Sequence, residues 1–219
     1  MNPQMKHAAT SPDMAELAAE LPHIIAAIKN PVPFFLTGLA AMWAGVHTGQ
    51  NVPLTLAYTV FAYLLSLLAV IDLRHGILPH VLTGLLATIG ALIAPTLGLT
   101  YAASTIGALV AFGGLGLCAL ITGFLTGKPA LGGGDLWLTL GLGAWLGTMG
   151  LPMLLVATTV TGVISIILKR LLTQNLPTYN TGGQGGGQFP FGPALCAAGW
   201  LALLYAPAYW QAIAAITGL

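Results

Sequence analysis

The sequence predicts an all-α, polytopic membrane helix bundle, and two observations lead to this fold class. Of the 219 residues, 57% are hydrophobic and only 5% are charged, whereas a soluble domain carries roughly 25% charged residues. Residues 53–71 and 101–125 are long apolar runs, and a helix needs about 20 residues to cross a bilayer. These runs do not alternate apolar and polar residues, which argues against a membrane β-barrel.

About seven transmembrane helices follow from the proline and glycine clusters that interrupt the apolar runs. An amphipathic helix is predicted before them, over residues 11–29, with Ser11 as its cap and Pro22 expected to bend or split it. We therefore predict a cytoplasmic or interfacial segment, residues 1–30, and a membrane-embedded domain, residues 31–219. The predicted spans are 33–49, 53–72, 78–97, 101–124, 135–150, 152–172 and 193–213.

The basic residues predict the orientation of the bundle. With seven spans, all of them fall in the N-terminal segment or in the loops and helix ends after the second, fourth and sixth spans. Cytoplasmic loops carry an excess of lysine and arginine, so the N-terminus is predicted to be cytoplasmic and the C-terminus to lie outside. The residues are Lys6, Lys29, Arg74, Lys128, Lys169 and Arg170.

Two acidic residues stand apart from the rest. Asp13, Glu16 and Glu20 belong to the N-terminal segment, whereas Asp72 closes the second predicted span and Asp135 opens the fifth. In the predicted topology the latter two share one membrane face and one depth, so each is the expected partner of the other. Two carboxylates at hydrogen-bond distance share a proton, and one can then activate a water while the other donates to a substrate carbonyl.

Three sequence stretches resemble one known family. The stretches IDLRHGILPHVLT (71–83) and GGGDLWLTLGLGAWLG (132–147) together resemble the type IV prepilin peptidases, membrane aspartic proteases with a GxGD motif. FPFGPAL (189–195) is similar to the PFGP segment that precedes the last helix of that family. The three motifs occur in the family's order, and the resemblance runs from about residue 33 to the C-terminus.

The resemblance implies an aspartic endopeptidase that cleaves the basic leader from type IV prepilins or pseudopilins at the cytoplasmic face of the bacterial inner membrane. Asp72 and Asp135 are then the catalytic pair. His80 departs from the family, which commonly has Asp or Asn there, and this affects local polar bonding. Residues expected to shape the site are Gly132, Gly134, Pro79, Phe191, Gly192 and Pro193. The glycines are expected to permit unusual backbone angles and close approach of an extended peptide.

The cysteines indicate a short form of the family. Full-length members carry an N-terminal cytoplasmic domain with two CxxC pairs, which is associated with N-methylation of the new terminus. The cysteines here are Cys118 and Cys196, both in apolar segments. A peptidase without N-methyltransferase activity is therefore expected.

The same residues also permit other functions. Asp72 could pair with Arg74 or a histidine, and Asp135 with Lys128, merely anchoring helix ends. A proton-coupled transporter or channel subunit also uses membrane carboxylates, but it favours positions near mid-membrane. A noncatalytic scaffold of a pilus or secretion apparatus is the third alternative, and intact aspartates argue against it.

No metal, cofactor or nucleic-acid partner is predicted; the substrate precursor and the lipid bilayer are the expected partners. Asp72, His75 and His80 offer ligand types that suit zinc, but no HExxH pair appears on a helix. Residues 177–190 are rich in glycine, yet they lack the lysine and the strand–loop–helix context of a nucleotide site, so a flexible loop is predicted. No basic patch indicates nucleic-acid binding.

Overall fold

The computed structural model describes residues 12–49, 51–127, 132–173 and 191–217, and secondary structure within these ranges is helical. The predicted glycine-rich loop 177–190 and Lys128 lie outside the described residues. The helices are α1 (Pro12–Ile28), α2 (Pro31–His47), α3 (Val52–His75), α4 (His80–Leu92), α5 (Tyr101–Thr126), α6 (Gly133–Thr173) and α7 (Gly192–Thr217), with a short 3₁₀ helix at Ala94–Leu97 after α4.

Pro22 does not split α1, which continues through this proline to Ile28. The chain bends instead between α1 and α2, where Ala18–Ile28 and Pro31–Val46 meet at 65°. Asn30 sits at this bend and caps α2 by accepting a hydrogen bond from the backbone N–H of Val32 at 3.0 Å. A side-chain cap and a proline at the first helical position both favour a new helix start here.

The fifth and sixth predicted spans correspond to two helical stretches of α6 that meet at a kink. We expected a boundary between residues 150 and 152, but the backbone leaves helical geometry earlier, at Gly147, with φ 59° and ψ −175°. Only glycine occupies this region of backbone conformation readily. The kink therefore depends on Gly147, and the helix continues past Pro152.

Within the described ranges, three helices are long and apolar enough to cross a membrane, namely α3, α5 and most of α6, or up to four if the bent pair α1–α2 forms one span. Large apolar side chains cover the outer surface of α5, where Phe124 is 90% exposed. Monomeric soluble proteins rarely expose contiguous apolar surface of this kind. The structure thus confirms a helical membrane bundle, while its orientation in the bilayer stays a prediction.

Trp145 forms the centre of the hydrophobic core. Its ring is buried against Phe61 of α3, with ring centroids 4.6 Å apart, and its indole N–H donates to the carbonyl of Leu86 in α4 at 2.8 Å. Buried Leu195 and Ala198 of α7 belong to the same cluster. Helices α3, α4, α6 and α7 therefore pack around one core, and this packing fixes the ends of α3 and α6 relative to each other.

Helices α5 and α6 cross at a close backbone contact. A Cβ atom on Gly107 would lie 2.6 Å from the carbonyl oxygen of Gly143, and a Cβ on Gly143 would meet the carbonyl oxygen of Gly107. Ser104 strengthens the crossing by donating to the carbonyl of Ala144 at 2.7 Å. Small residues commonly permit such approach in membrane helices.

We expect Gly107→Ala to destabilise the bundle by about 1–3 kcal/mol, because the new methyl group overlaps backbone that cannot yield easily. Gly113→Ala on the same helix is the matched control, since its Cβ meets no atom within 4 Å. Thermal unfolding of the purified protein in detergent measures the difference. Equal melting temperatures for the two variants would contradict the close crossing.

Candidate active site

Asp72 lies in the last turn of α3. Helix α3 ends one turn later at Gly76, whose left-handed conformation (φ 65°) closes the helix and whose N–H donates to the carbonyl of Asp72. The carboxylate is buried, and its Oδ2 atom has no hydrogen-bond partner in the described part of the chain. A buried polar atom without a partner is costly, so this oxygen is available for a water or a shared proton.

Asp135 lies in the first turn of α6, as the third helical residue after Gly132. Its backbone N–H donates to the Gly132 carbonyl at 3.2 Å, and its carboxylate turns back toward the backbone N–H of Gly132. This arrangement is similar to a capping box, in which the third helical side chain bonds to the residue before the helix. The positive end of the helix dipole also favours a carboxylate at this position.

The fold brings the two predicted aspartates into one cleft. They are close enough for the charge on Asp72 to act electrostatically on Asp135, although 63 positions separate them in the chain (135 − 72). The cleft has a volume of about 460 Å³ and is partly open to its surroundings. Its other lining residues are Ala19, Glu20, His23, Gly76, Ile77, Leu78, His80, Gly132, Gly133 and Gly134.

The PFGP segment brings the start of α7 against Asp72. The backbone N–H of Gly192 faces the Asp72 carboxylate, and a Cβ on Gly192 would lie only 2.6 Å from Oδ2. Phe191 packs on the hydrophobic core. Pro193 lines a separate apolar groove between α2, α3 and α7 and does not line the cleft with the two aspartates. Of Phe191, Gly192 and Pro193, it is therefore Gly192 that touches an aspartate.

Gly134 acts through close packing. A Cβ on Gly134 would lie 2.8 Å from the Cβ of Leu78 and 3.4 Å from its carbonyl oxygen. Pro79, the residue before α4, is fully buried beside this contact. The expectation of unusual backbone angles is not met, since neither Gly132 nor Gly134 has a positive φ. Gly134 instead lets the start of α6 reach the Leu78–Pro79 segment.

Sequence reasoning missed two polar cleft residues on α1. Glu20 and His23 line the cleft, and the ring of His23 lies 4.4 Å from that of His75 on α3. Ile24 and Ala27 of the same helix are buried in the core. No local motif marks these residues, and only packing of α1 on α3 brings them to the site.

The histidines do not complete the alternative zinc site. His75 contacts the His23 ring, and His80 lies at the start of α4 with its ring 6.1 Å from that of Trp137. Among the described residues, no group of three or more His, Cys, Asp or Glu side chains converges in a way that could hold a metal ion.

These features define a class, a helical membrane protein with two acidic side chains in one cleft. The model of the type IV leader peptidase family matches residues 59–167, which include both aspartates. The chain is 37% identical over 158 residues to the prepilin leader peptidase/N-methyltransferase of Aeromonas hydrophila, covering 69% of this chain and 50% of that protein. The protein of the same name from Legionella pneumophila is 33% identical over 181 residues, covering 81% of this chain and 59% of that protein.

The chain therefore belongs to the type IV leader peptidase family. A third relative with this name, from Neisseria gonorrhoeae, is 32% identical over 110 residues, which is 50% of this chain and 34% of that protein. The chain thus spans between about a third and three fifths of the length of these curated relatives. No solved structure matches the chain.

We expect Gly134→Ala to reduce the peptidase activity that the family resemblance implies by about 10²-fold. The added methyl group would displace the start of α6 and so move the Asp135 carboxylate. Small misplacements of a catalytic group are costly. Gly162→Ala on the same helix is the matched control, since its Cβ meets nothing within 4 Å and Gly162 does not line the cleft. Activity and melting temperature are measured for both variants. Gly134→Ala with wild-type activity would refute the packing role.

Gly192→Ala tests the contact with Asp72. The new Cβ would overlap Oδ2, so we expect an activity loss of about 10²-fold with little loss of stability, because the carboxylate can rotate away. Gly199→Ala on the same helix is the comparison, since its Cβ would overlap the core residue Leu142. That variant should lower the melting temperature more. The reverse ranking of the two variants in activity would contradict the assignment.

Proposed function

We propose that the chain is an aspartic endopeptidase that removes the basic leader peptide from type IV prepilins or pseudopilins. One observation carries this proposal, namely that Asp72 and Asp135 line one open cleft at the ends of two helices. Membership in the leader peptidase family and the names of the three relatives support it. The proposal concerns the peptidase reaction, and the N-methyltransferase in the relatives' names is not carried over.

In the proposed reaction the two carboxylates hold one proton between them. The ionised carboxylate accepts a proton from a water, and the resulting hydroxide attacks the carbonyl carbon of the scissile peptide bond. The protonated carboxylate donates to the carbonyl oxygen, and a proton is then delivered to the leaving amine as the C–N bond breaks. The unpartnered Oδ2 of Asp72 suits this exchange of protons, and neither a metal nor a covalent intermediate is required.

The substrate is proposed to bind in an extended form. A peptide bond inside a helix is shielded by its neighbours, so the cleft must accept an unwound segment. The side of the cleft formed by residues 132–134 carries no side chains beyond hydrogen. This leaves room for a peptide backbone beside Asp135.

We also propose that the cleft opens at the cytoplasmic face of the bacterial inner membrane. The support is the distribution of lysine and arginine, which predicts a cytoplasmic N-terminus and an external C-terminus. Asp72 near the end of α3 and Asp135 near the start of α6 then lie on the cytoplasmic side. A proton-coupled transporter is less favoured, because its carboxylates would be expected near the middle of a span.

Cleavage of candidate prepilins in membranes tests the proposal. Asp72→Asn and Asp135→Asn keep the side-chain size but remove the proton chemistry, so each should lower cleavage by about 10²–10⁴-fold. Asp13→Asn, an acid outside the three motifs, is the control and should cleave normally. Membrane insertion of each variant is checked in parallel.

Normal processing by either motif variant would reject the carboxylate pair. If the wild type inserts correctly but cleaves no prepilin or pseudopilin, a scaffold role is favoured. If it conducts protons in liposomes and that flux needs both aspartates, the transporter alternative is favoured.

A further inference from the structure

Glu20 of α1 caps α4 across a sequence distance of 60 residues. Its Oε1 accepts a hydrogen bond from the backbone N–H of His80 at 2.8 Å, and its Oε2 lies 3.4 Å from the N–H of Val81. Helix α4 begins after Pro79, which has no side chain able to cap it. The first N–H groups of a helix need outside acceptors, and a carboxylate also suits the positive helix end.

The capped helix start is directly connected to the second aspartate. Pro79 and Leu78 immediately precede α4, and the Leu78 backbone and Cβ pack against Gly134. Gly134 is followed by Asp135. A short series of contacts therefore joins Glu20 to Asp135. Most of the atoms in this series belong to the backbone, so they cannot adjust by rotation of a side chain.

The position of Glu20 is itself fixed by the packing of α1. One turn beyond it, Ile24 is buried in the core, and Ala27 is buried after that. The ring contact between His23 and His75 ties the same helix to the last turn of α3. Since Asp72 also lies in that turn, α1 contacts the helix that carries Asp72 and, through Glu20, the start of α4.

We propose that Glu20 is a positioning residue for the carboxylate pair, an inference that rests on the proposed peptidase function. Glu20 sets the start of α4, which sets the Leu78–Pro79 segment, which in turn holds the first turn of α6 and the Asp135 side chain beside Asp72. Helix α1 thus lines the cleft and also positions one of its catalytic side chains. Glu20 does not itself exchange protons with the substrate.

Three variants test this role in the 219-residue chain purified in lipid nanodiscs. Glu20→Ala removes both acceptors. Glu20→Gln keeps a carbonyl oxygen for the shorter bond from His80 and is the conservative rescue. Asn51→Ala is the matched control, because Asn51 caps α3 by accepting from the Leu54 N–H at 3.3 Å, at the end of the helix opposite to Asp72.

The first readout is cleavage of a prepilin precursor. We expect Glu20→Ala to lower kcat by at least about tenfold with KM changed less than about twofold, because carboxylate geometry is altered more than peptide binding. Glu20→Gln should recover most of kcat. Asn51→Ala should lose stability as any lost cap does but keep kcat. Unchanged kcat in Glu20→Ala, or an equal loss in Asn51→Ala, overturns the proposal.

The second readout, amide hydrogen exchange, does not need activity. In Glu20→Ala we expect faster exchange at His80 and Val81 and also in residues 133–137, with neither change in Asn51→Ala. Faster exchange confined to residues 80–81 would show a simple cap and overturn the positioning role. If the wild type cleaves no prepilin, the proposed function fails, and exchange at 133–137 still decides whether Glu20 holds the start of α6.

Discussion

Placing two acidic side chains in an apolar helical protein is the energetic constraint on which this structure depends. A carboxylate is expensive to remove from water unless donors or partial positive charges surround it. Each acid faces a backbone N–H at a helix start, while Oδ2 of Asp72 has no hydrogen-bond partner in the described part of the chain. Asp135 lies in the first turn of α6 and turns back toward the Gly132 N–H, while Asp72 faces the N–H of Gly192 at the start of α7. Two helix starts thus converge on one cleft. The repulsion between the two carboxylates remains, and a proton shared between them can lower it.

Close backbone approach is the means by which these helix starts are brought together. The start of α6 reaches Leu78 because Gly134 has no Cβ, and the start of α7 reaches Asp72 because Gly192 has none. The same device joins α5 to α6 at Gly107 and Gly143. The contacts at Gly107, Gly143 and Gly134 have little tolerance, since an added methyl group there would meet backbone or a Cβ atom that cannot rotate away. The glycines of the motifs therefore matter because they allow close packing, not because they allow unusual backbone angles. Gly147, in contrast, is needed for its backbone conformation.

The N-terminal helix α1 packs closely on the later helices, although we predicted a domain boundary at residue 30. That boundary stays a prediction. Its buried residues Ile24 and Ala27 join the core formed by the later helices. Its polar residues Glu20 and His23 reach the cleft. In an apolar bundle a polar helix start such as that of α4 must find an acceptor, and α1 supplies one from outside the segment that the family model matches.

The sequence by itself determined the class of fold and singled out the two acids. The length of an apolar run and the scarcity of charge are local properties, and they decide whether a helix can cross a bilayer. It also determined that Asp72 and Asp135 end up near helix termini, since apolar runs stop beside them. Only the tertiary structure decided that the two helical stretches of α6 meet at Gly147 rather than near Pro152, that α1 runs through Pro22, and that Glu20 caps α4. These outcomes depend on contacts between residues far apart in the chain, and local patterns carry no information about which distant backbone groups need an acceptor or how closely two helices approach.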